Sequence, residues 1–265
     1  ARREVSLLIS LNDLELPAVA ANRERFLEVG TLPVVSSPEV VDICFDKWKT
    51  LQFLERCGLR TPRTYLSLSD ARSAVERGEV SFPLVIKPRW GSASIGIQVV
   101  RDDEEMELAY RLLRGSIGGT ILASASAADP ERCLLIQEKL EGMEHGLDVV
   151  NDLDGEYVCA FARRKLAMRA GETDKAETVE HPELTRIGEV LGSSLGHIGC
   201  LDCDVFVGDE GCLVLEMNPR FGGGYPFSHA AGANLPAALI AWAGGEKINP
   251  RWLSIDAGVT AAKSD

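Results

Sequence analysis

Nowhere in the 265 residues does an apolar run reach the roughly 18 to 20 residues that carry a helix across a bilayer. The longest, from Ala230 to Ala243, is interrupted by Gly232, Asn234 and Pro236. Positive charge is scarce: Lys plus Arg number 28 against 40 Asp plus Glu, a formal net charge of -12. A surface of that sign argues against nucleic acid as a main partner, because phosphate-backbone binding needs a basic face. It leaves room for a small anionic ligand, since a few well-placed cations create a local positive site. No basic-then-apolar leader stands at the start, and no internal repeat or low-complexity stretch is present. The seven cysteines are an odd number spread from Cys44 to Cys212, without a compact disulfide framework. The reduced thiols of the cytoplasm are the simplest reading, with no membrane association.

What is present is an ordinary globular balance, 45% hydrophobic and 26% charged, in a length that fits one large domain or two smaller ones sharing an interface. Strand signals at Val5–Ser10 and Leu32–Ser36 flank a helical pattern over Pro17–Val29, the order of a doubly wound unit. A buried strand so near the start leads us to expect that the protein begins further upstream. Asp46–Cys57 reads as a helix stopped by Gly58. Strands are expected at Phe82–Lys87, Gly96–Val100, Cys133–Gln137, Gly146–Asn151 and Tyr157–Arg163, with a helix over Asp102–Arg114. Residues 164 to 181 are polar and charged and read as a mobile loop over a site. A helix over Pro182–Leu195, with Pro182 at its first position, precedes a hairpin of Cys203–Val207 and Cys212–Met217.

Three segments carry chemistry. In Leu213-Val-Leu-Glu-Met-Asn-Pro-Arg220, strand alternation sends Leu213, Leu215 and Met217 one way and Glu216 with Asn218 the other. Two oxygen ligands side by side suit Mg²⁺, and Arg220 beyond them suits a phosphate or carboxylate; a strand ending at a polar rim fits equally well. Asp204, on the preceding strand, is costly to bury without a cation. It shares the face of Glu216 only with an odd loop length or a bulge. In Lys87-Pro-Arg-Trp-Gly-Ser-Ala-Ser-Ile-Gly96, a strand-end lysine leads into a small-residue loop. Ser92 and Ser94 there allow backbone N–H groups close to phosphate oxygens. It is no Walker loop, because no helix follows. In Gln137-Glu-Lys-Leu-Glu-Gly-Met-Glu144, the backbone of Glu138–Leu140 can read an adenine edge and Glu144 can accept from ribose hydroxyls. Without the other two segments it is only a charged turn.

In this order the segments resemble an ATP-grasp enzyme of the carbamoyl phosphate synthase large-chain type, from about Asp46 to Gly245. The resemblance implies an α/β (α+β) ATP-grasp fold at 46–265, with a nucleotide-clamping subdomain at about 60–137 and a metal and substrate subdomain at about 138–265. Residues 1–45 are then similar to the end of a Rossmann-like pre-ATP-grasp domain. It further implies ATP and Mg²⁺ as cofactors, with Mn²⁺ as a substitute. Lys47 and Lys87 would contact phosphates, Gln137, Glu138, Lys139 and Leu140 would hold adenine, and Glu144 the ribose. Asp204, Glu216 and Asn218 would hold metal, and Arg220 would be the phosphate-side arginine. Only one ATP-grasp unit is present and nothing resembles a glutaminase, so the ATP half-reaction carries over and the product does not. A ligase joining small-molecule carboxylate and amine substrates through an acyl phosphate is expected. An acyl or carbamoyl phosphate-forming phosphotransferase and a non-catalytic ATP-binding module are the alternatives, and a homo-oligomer stays open.

Arg163, Arg164, Lys165 and Arg169 read either as a solvated basic run or as cations for an anionic substrate; Lys165 and Arg169 are the candidates kept beside Arg220 for catalysis. His197, Cys200, Cys203 and Cys212 invite a zinc site, but Cys203 faces away from Asp204, and buried cysteines usually act as small hydrophobes. The glycine-rich Gly222–Ser228 segment is a candidate wall of the acceptor pocket, or simply a flexible loop.

Overall fold

Alternating apolar positions build three sheets, and the helices between them cover one face of each. The computed structural model describes residues 4–91, 96–120, 122–127, 129–209 and 211–264. Ser92 and Ser94 lie outside the described residues. The N-terminal unit runs β1 (Leu7–Ile9), α1 (Leu16–Ala21), α2 (Arg23–Glu28), β2 (Leu32–Val34) and α3 (Pro38–Phe45), with β1 and β2 parallel. The single helix expected over Pro17–Val29 is broken at Asn22. Its amide donates back to Ala18 O and its Oδ1 accepts from Arg25, the local side-chain bonding with which asparagine competes against helix continuation.

The next unit begins with α4 (Lys47–Arg56), whose cap is Asp46: Oδ1 accepts from the Trp48 and Lys49 N–H groups. Then follow β3 (Thr64–Tyr65), α5 (Leu68–Glu76), β4 (Leu84–Pro88), β5 (Gln98–Val100), α6 (Asp103–Ser116), α7 (Ala123–Ser126) and β6 (Leu134–Glu138). The four strands form an antiparallel sheet in the order β3-β6-β4-β5. Leu84, Ile86, Leu134 and Ile136 bury one face against Ala71, Ala74, Met106 and Tyr110. Period-two alternation leaves Val85, Lys87 and Gln137 on the other face, and the pairing of Val85 with Val99 puts Val99 there too.

The largest sheet combines β7 (Met143–Asn151), β8 (Tyr157–Arg169), β9 (Glu172–Val179), β10 (Cys200–Gly208), β11 (Gly211–Asn218) and β12 (Thr260–Ala262), all antiparallel in the order β11-β10-β7-β8-β9-β12. Three helices, α8 (Pro182–Leu195), α9 (Tyr225–Ala230) and α10 (Leu235–Ala243), complete the chain. α8 lays Leu184, Ile187, Leu191 and Leu195 on Leu147, Val149, Leu201 and Cys203. Gly188 permits this contact, since a Cβ there would stand 2.5 Å from the Ala160 side chain. Among the described residues no helix is long and apolar enough to cross a membrane.

Two expectations are corrected. Residues 164 to 181 are not a loop: β8 continues to Arg169 and pairs with β9 from Ala162–Val179 to Arg169–Glu172, and β12 then pairs with β9. The inward positions of β9 are Thr173, Ala176 and Thr178, too small and polar to show a hydrophobic alternation. Nor do Leu213, Leu215 and Met217 share a face. The pairing slips by one residue between Asp204 and Val205, so Asp204 stands opposite Glu216 and Leu215 is the extra residue. Cys212, Val214 and Met217 face the core, while Leu213 and Glu216 do not. The bulge is what gives Asp204 and Glu216 a common face.

Candidate functional site

The face of the large sheet away from α8 carries the charges. Pairing sets Glu216, Asp204, Gly146 and Arg163 in one row across β11, β10, β7 and β8, and Asn218, Asp202 and Asp148 in the next. Lys87, on the open face of the smaller sheet, feels the fields of Lys47, Glu216 and Asp204, so the two faces meet here. Lys47 opens α4, donates to Gly91 O and lies 3.9 Å from Glu216. The start of α4 is tied to the end of β4 by Arg89, the residue after that strand, whose Nε and Nη2 donate to the buried Asp46 carboxylate at 2.8 and 2.7 Å. The Lys47 N–H bonds Arg89 O at 3.1 Å. The start of α4 and the segment that follows β4 are thereby fixed as one piece.

Lys165 Nζ bridges Glu144 and Asp204 at 2.6 Å each. Burial pushes Asp204 up to about 7; Lys165 opposes this, and Asp202, Glu216 and Glu144 add to it. Burial also raises Glu216, but Lys47, Lys87, Lys165 and Arg220 more than reverse it and hold the carboxyl below its usual range. Burial lowers Lys87 to about 8, with Lys47 pushing the same way and Glu216 and Asp204 opposing. Hard oxygen donors crowded by like charge suit a divalent cation, which would relieve the repulsion at Asp204. Among the described residues no group of three or more His, Cys, Asp and Glu could hold a metal by itself. Asp204, Glu216 and Asn218 are the oxygen donors that would hold such a cation.

A ladder of alternating charge borders this cluster. Arg220 pairs with Asp13 and Asp202, Arg163 with Asp202 and Asp148, and the Ser228 hydroxyl donates to Asp148 at 2.6 Å. Its packing requires glycine: a Cβ on Gly224 would come within 2.3 Å of Arg163 Nε, and one on Gly222 within 2.1 Å of the Asp202 carboxylate. Asp13, Asp148 and Asp202 were not singled out in the sequence; the only available signal was the Asp202-x-Asp204 spacing that puts both on one strand face. Arg169 is not brought to the cluster. It sits at the outer end of β8, exposed and ion-paired with Asp174.

Of two clefts, the first borders the cluster and the second has none of the cluster residues in its lining. One of about 820 Å³ is lined by Lys165, Asp204, Glu216, Arg220 and the Phe221–Pro226 segment, with Leu11 and Asp13 from the N-terminal unit. A groove of about 1220 Å³ runs along the link between the sheets, past Glu138, Lys139 and Leu140 and opposite Arg60, Thr61 and Phe82. Gln137 is buried, its amide donating to Thr64 Oγ1 at 2.8 Å, so its side chain is occupied within the smaller sheet. The open face beside it carries Val85 and the exposed Val99, an apolar surface fit for a flat ring.

A family model described as an ATP-grasp domain matches residues 44–224. The chain is similar to carbamoyl phosphate synthase large chains: 24% identical over 233 residues to that of Kineococcus radiotolerans (84% of this chain, 20% of that one) and 26% over 225 residues to that of Rubrobacter xylanophilus (80% and 20%). It thus spans about a fifth of the length of these relatives. Among solved structures, the biotin carboxylase domain of Hydrogenobacter thermophilus 2-oxoglutarate carboxylase, in complex with MgADP, ADP and bicarbonate, superposes with a TM-score of 0.70. The identity is 19%, over 88% of this chain and 52% of that one. An L-amino acid ligase from Bacillus licheniformis gives 0.68 at 21% identity, over 94% and 61%. These structural likenesses speak for the fold.

Proposed function

The chain belongs to the ATP-grasp family, and from that premise we propose that it binds MgATP between its two larger sheets and activates a carboxylate as an acyl phosphate for attack by an amine or ammonia. The observation that carries this is the convergence of Lys47 and Lys87 with Asp204 and Glu216, from helix α4 and two sheets, beside Asn218. In this reading residues 60–137 form the clamping lobe and 138–265 the metal and acid lobe.

Lys47 and Lys87 draw the phosphates, as lysines serve well as point charges for them. The Glu138–Leu140 backbone reads the adenine edge, and Val85 and Val99 cover the ring. Glu144 reaches the ribose once Lys165 turns toward the acid. Asp204, Glu216 and Asn218 would hold Mg²⁺, which would supply charge neutralisation at the transferred group. A carboxylate oxygen attacks the γ-phosphorus and ADP leaves; the nucleophile then attacks the acyl carbon and phosphate leaves. Lys165, which lines the cleft of about 820 Å³ beside Asp204 and Glu216, is the cation assigned to the acid in this reading. The free thiols fit a reducing compartment, the cytoplasm.

A panel of carboxylates, assayed for ADP release with and without amino acids or ammonia, tests the reading. ADP formation should need Mg²⁺ and one acid and rise with one nucleophile. ADP formed with an acid but indifferent to every nucleophile would favour a phosphotransferase, and binding of ATP without turnover would favour a non-catalytic module.

A further inference from the structure

Asp13 follows β1 in the N-terminal unit, 207 residues from Arg220, yet that guanidinium takes up both of its oxygens. Arg220 Nε donates to Oδ1 and Nη2 to Oδ2, each at 2.9 Å, and the two side chains are only 12% and 10% exposed. Arg220 Nη1 donates to Asp202 Oδ2 at 2.9 Å and to Phe221 O at 3.2 Å. A guanidinium has five N–H donors in a fixed fork, so Arg220 keeps no open pair of donors for a bidentate grip on a ligand. Asp13 also borders a small internal gap with Phe45, Gly91, Asn218 and Pro219. It stands where the N-terminal unit, the loop after β4 and the end of the metal strand come together.

We propose that Asp13 is a positioning residue of the site, a proposal that rests on the function inferred above. By filling the fork of Arg220 it fixes the turn after Asn218, and through Arg220 it orients Asp202 beneath the acid cleft. The N-terminal unit becomes part of the catalytic apparatus, although the residues that touch nucleotide lie after residue 46. A two-point charged pair of this kind is worth orienting, because a site loosened by about 1 Å loses much of its rate.

A double-mutant cycle in the full chain tests this, with Asp13→Asn, Arg220→Lys and their combination. The readouts are MgADP affinity, ADP affinity without Mg²⁺, and turnover of MgATP with the acid that supports it. Asp13→Asn should cut turnover about 10-fold or more and weaken MgADP, with metal-free ADP binding within about 2-fold of wild type. The double variant should be no worse than the poorer single, and Asp13→Glu should recover part of the loss. Circular dichroism and urea midpoints identify any variant that fails to fold, and Asp13→Glu then carries the comparison. Wild-type turnover in Asp13→Asn, or additive losses in the cycle, overturns the proposal. So does a tighter KM for the acid, which would mean that the acid displaces Asp13. If wild-type protein itself does not bind MgADP, the proposed function fails; if it binds and Asp13→Asn behaves as wild type, only the role of Asp13 fails.

Discussion

Burial pushes the Lys87 amine down to about 8, below the roughly 10.4 of an unfolded lysine. The unfolded chain therefore binds the extra proton between those values, and stability from this residue rises with pH across that window. The difference in urea midpoint between wild type and Lys87→Met should move in favour of wild type from pH 8 to 10. A difference independent of pH would mean that the amine is not desolvated. The same depression makes phosphate binding take up a proton at pH 8.5, where Asp204, at about 7, is already ionised. Calorimetry of MgADP in two buffers of unlike ionisation enthalpy should show that uptake, and Lys87→Met should abolish it. Glu216→Gln should cost about two orders of magnitude in turnover, as losing one electrostatic stabiliser of a transition state commonly does; wild-type rates would remove Glu216 from the site.

Among the elements, the loop over Gly222–Gly224 and the β8–β9 hairpin carry the clearest consequences. Gly224→Ala would drive a methyl against Arg163, which Asp148 and Asp202 hold in place, so about 1 to 3 kcal/mol of stability should be lost. Thermal unfolding reads this, and an unchanged midpoint would mean that the network yields easily. Hydrogen exchange should show Ala176 and Thr178 protected like β7; fast exchange there would restore the mobile loop expected from composition. That hairpin was hidden in the sequence because Thr173, Ala176 and Thr178 fill the inward positions where large apolar residues would have announced a strand. α4 and α8, by contrast, declared themselves through Gly58 after the first and Pro182 at the start of the second. Strand alternation was enough to pair Glu216 with Asn218. It could not locate the bulge at Leu215, whose position depends on the partner strand.

Across the whole molecule, an acidic chain gathers its buried cations at one place, where two sheets and the N-terminal unit converge. Lys47, Lys87, Lys165, Glu144, Asp204 and Glu216 were each nameable from local strings, and the structure brings them together. Asp13, Asp148 and Asp202 were not, because their partners lie 15 to 207 residues away and no local pattern encodes such pairs. The central claim is that this convergence is a magnesium–nucleotide site, and calorimetry of ADP with and without Mg²⁺ tests it most directly. In wild type, Mg²⁺ should tighten ADP at least about 10-fold, or about 1.4 kcal/mol. In the combined Glu216→Gln, Asn218→Ala variant that gain should vanish while metal-free ADP still binds. An affinity indifferent to Mg²⁺ in wild type, or a gain that survives in the variant, would contradict the account.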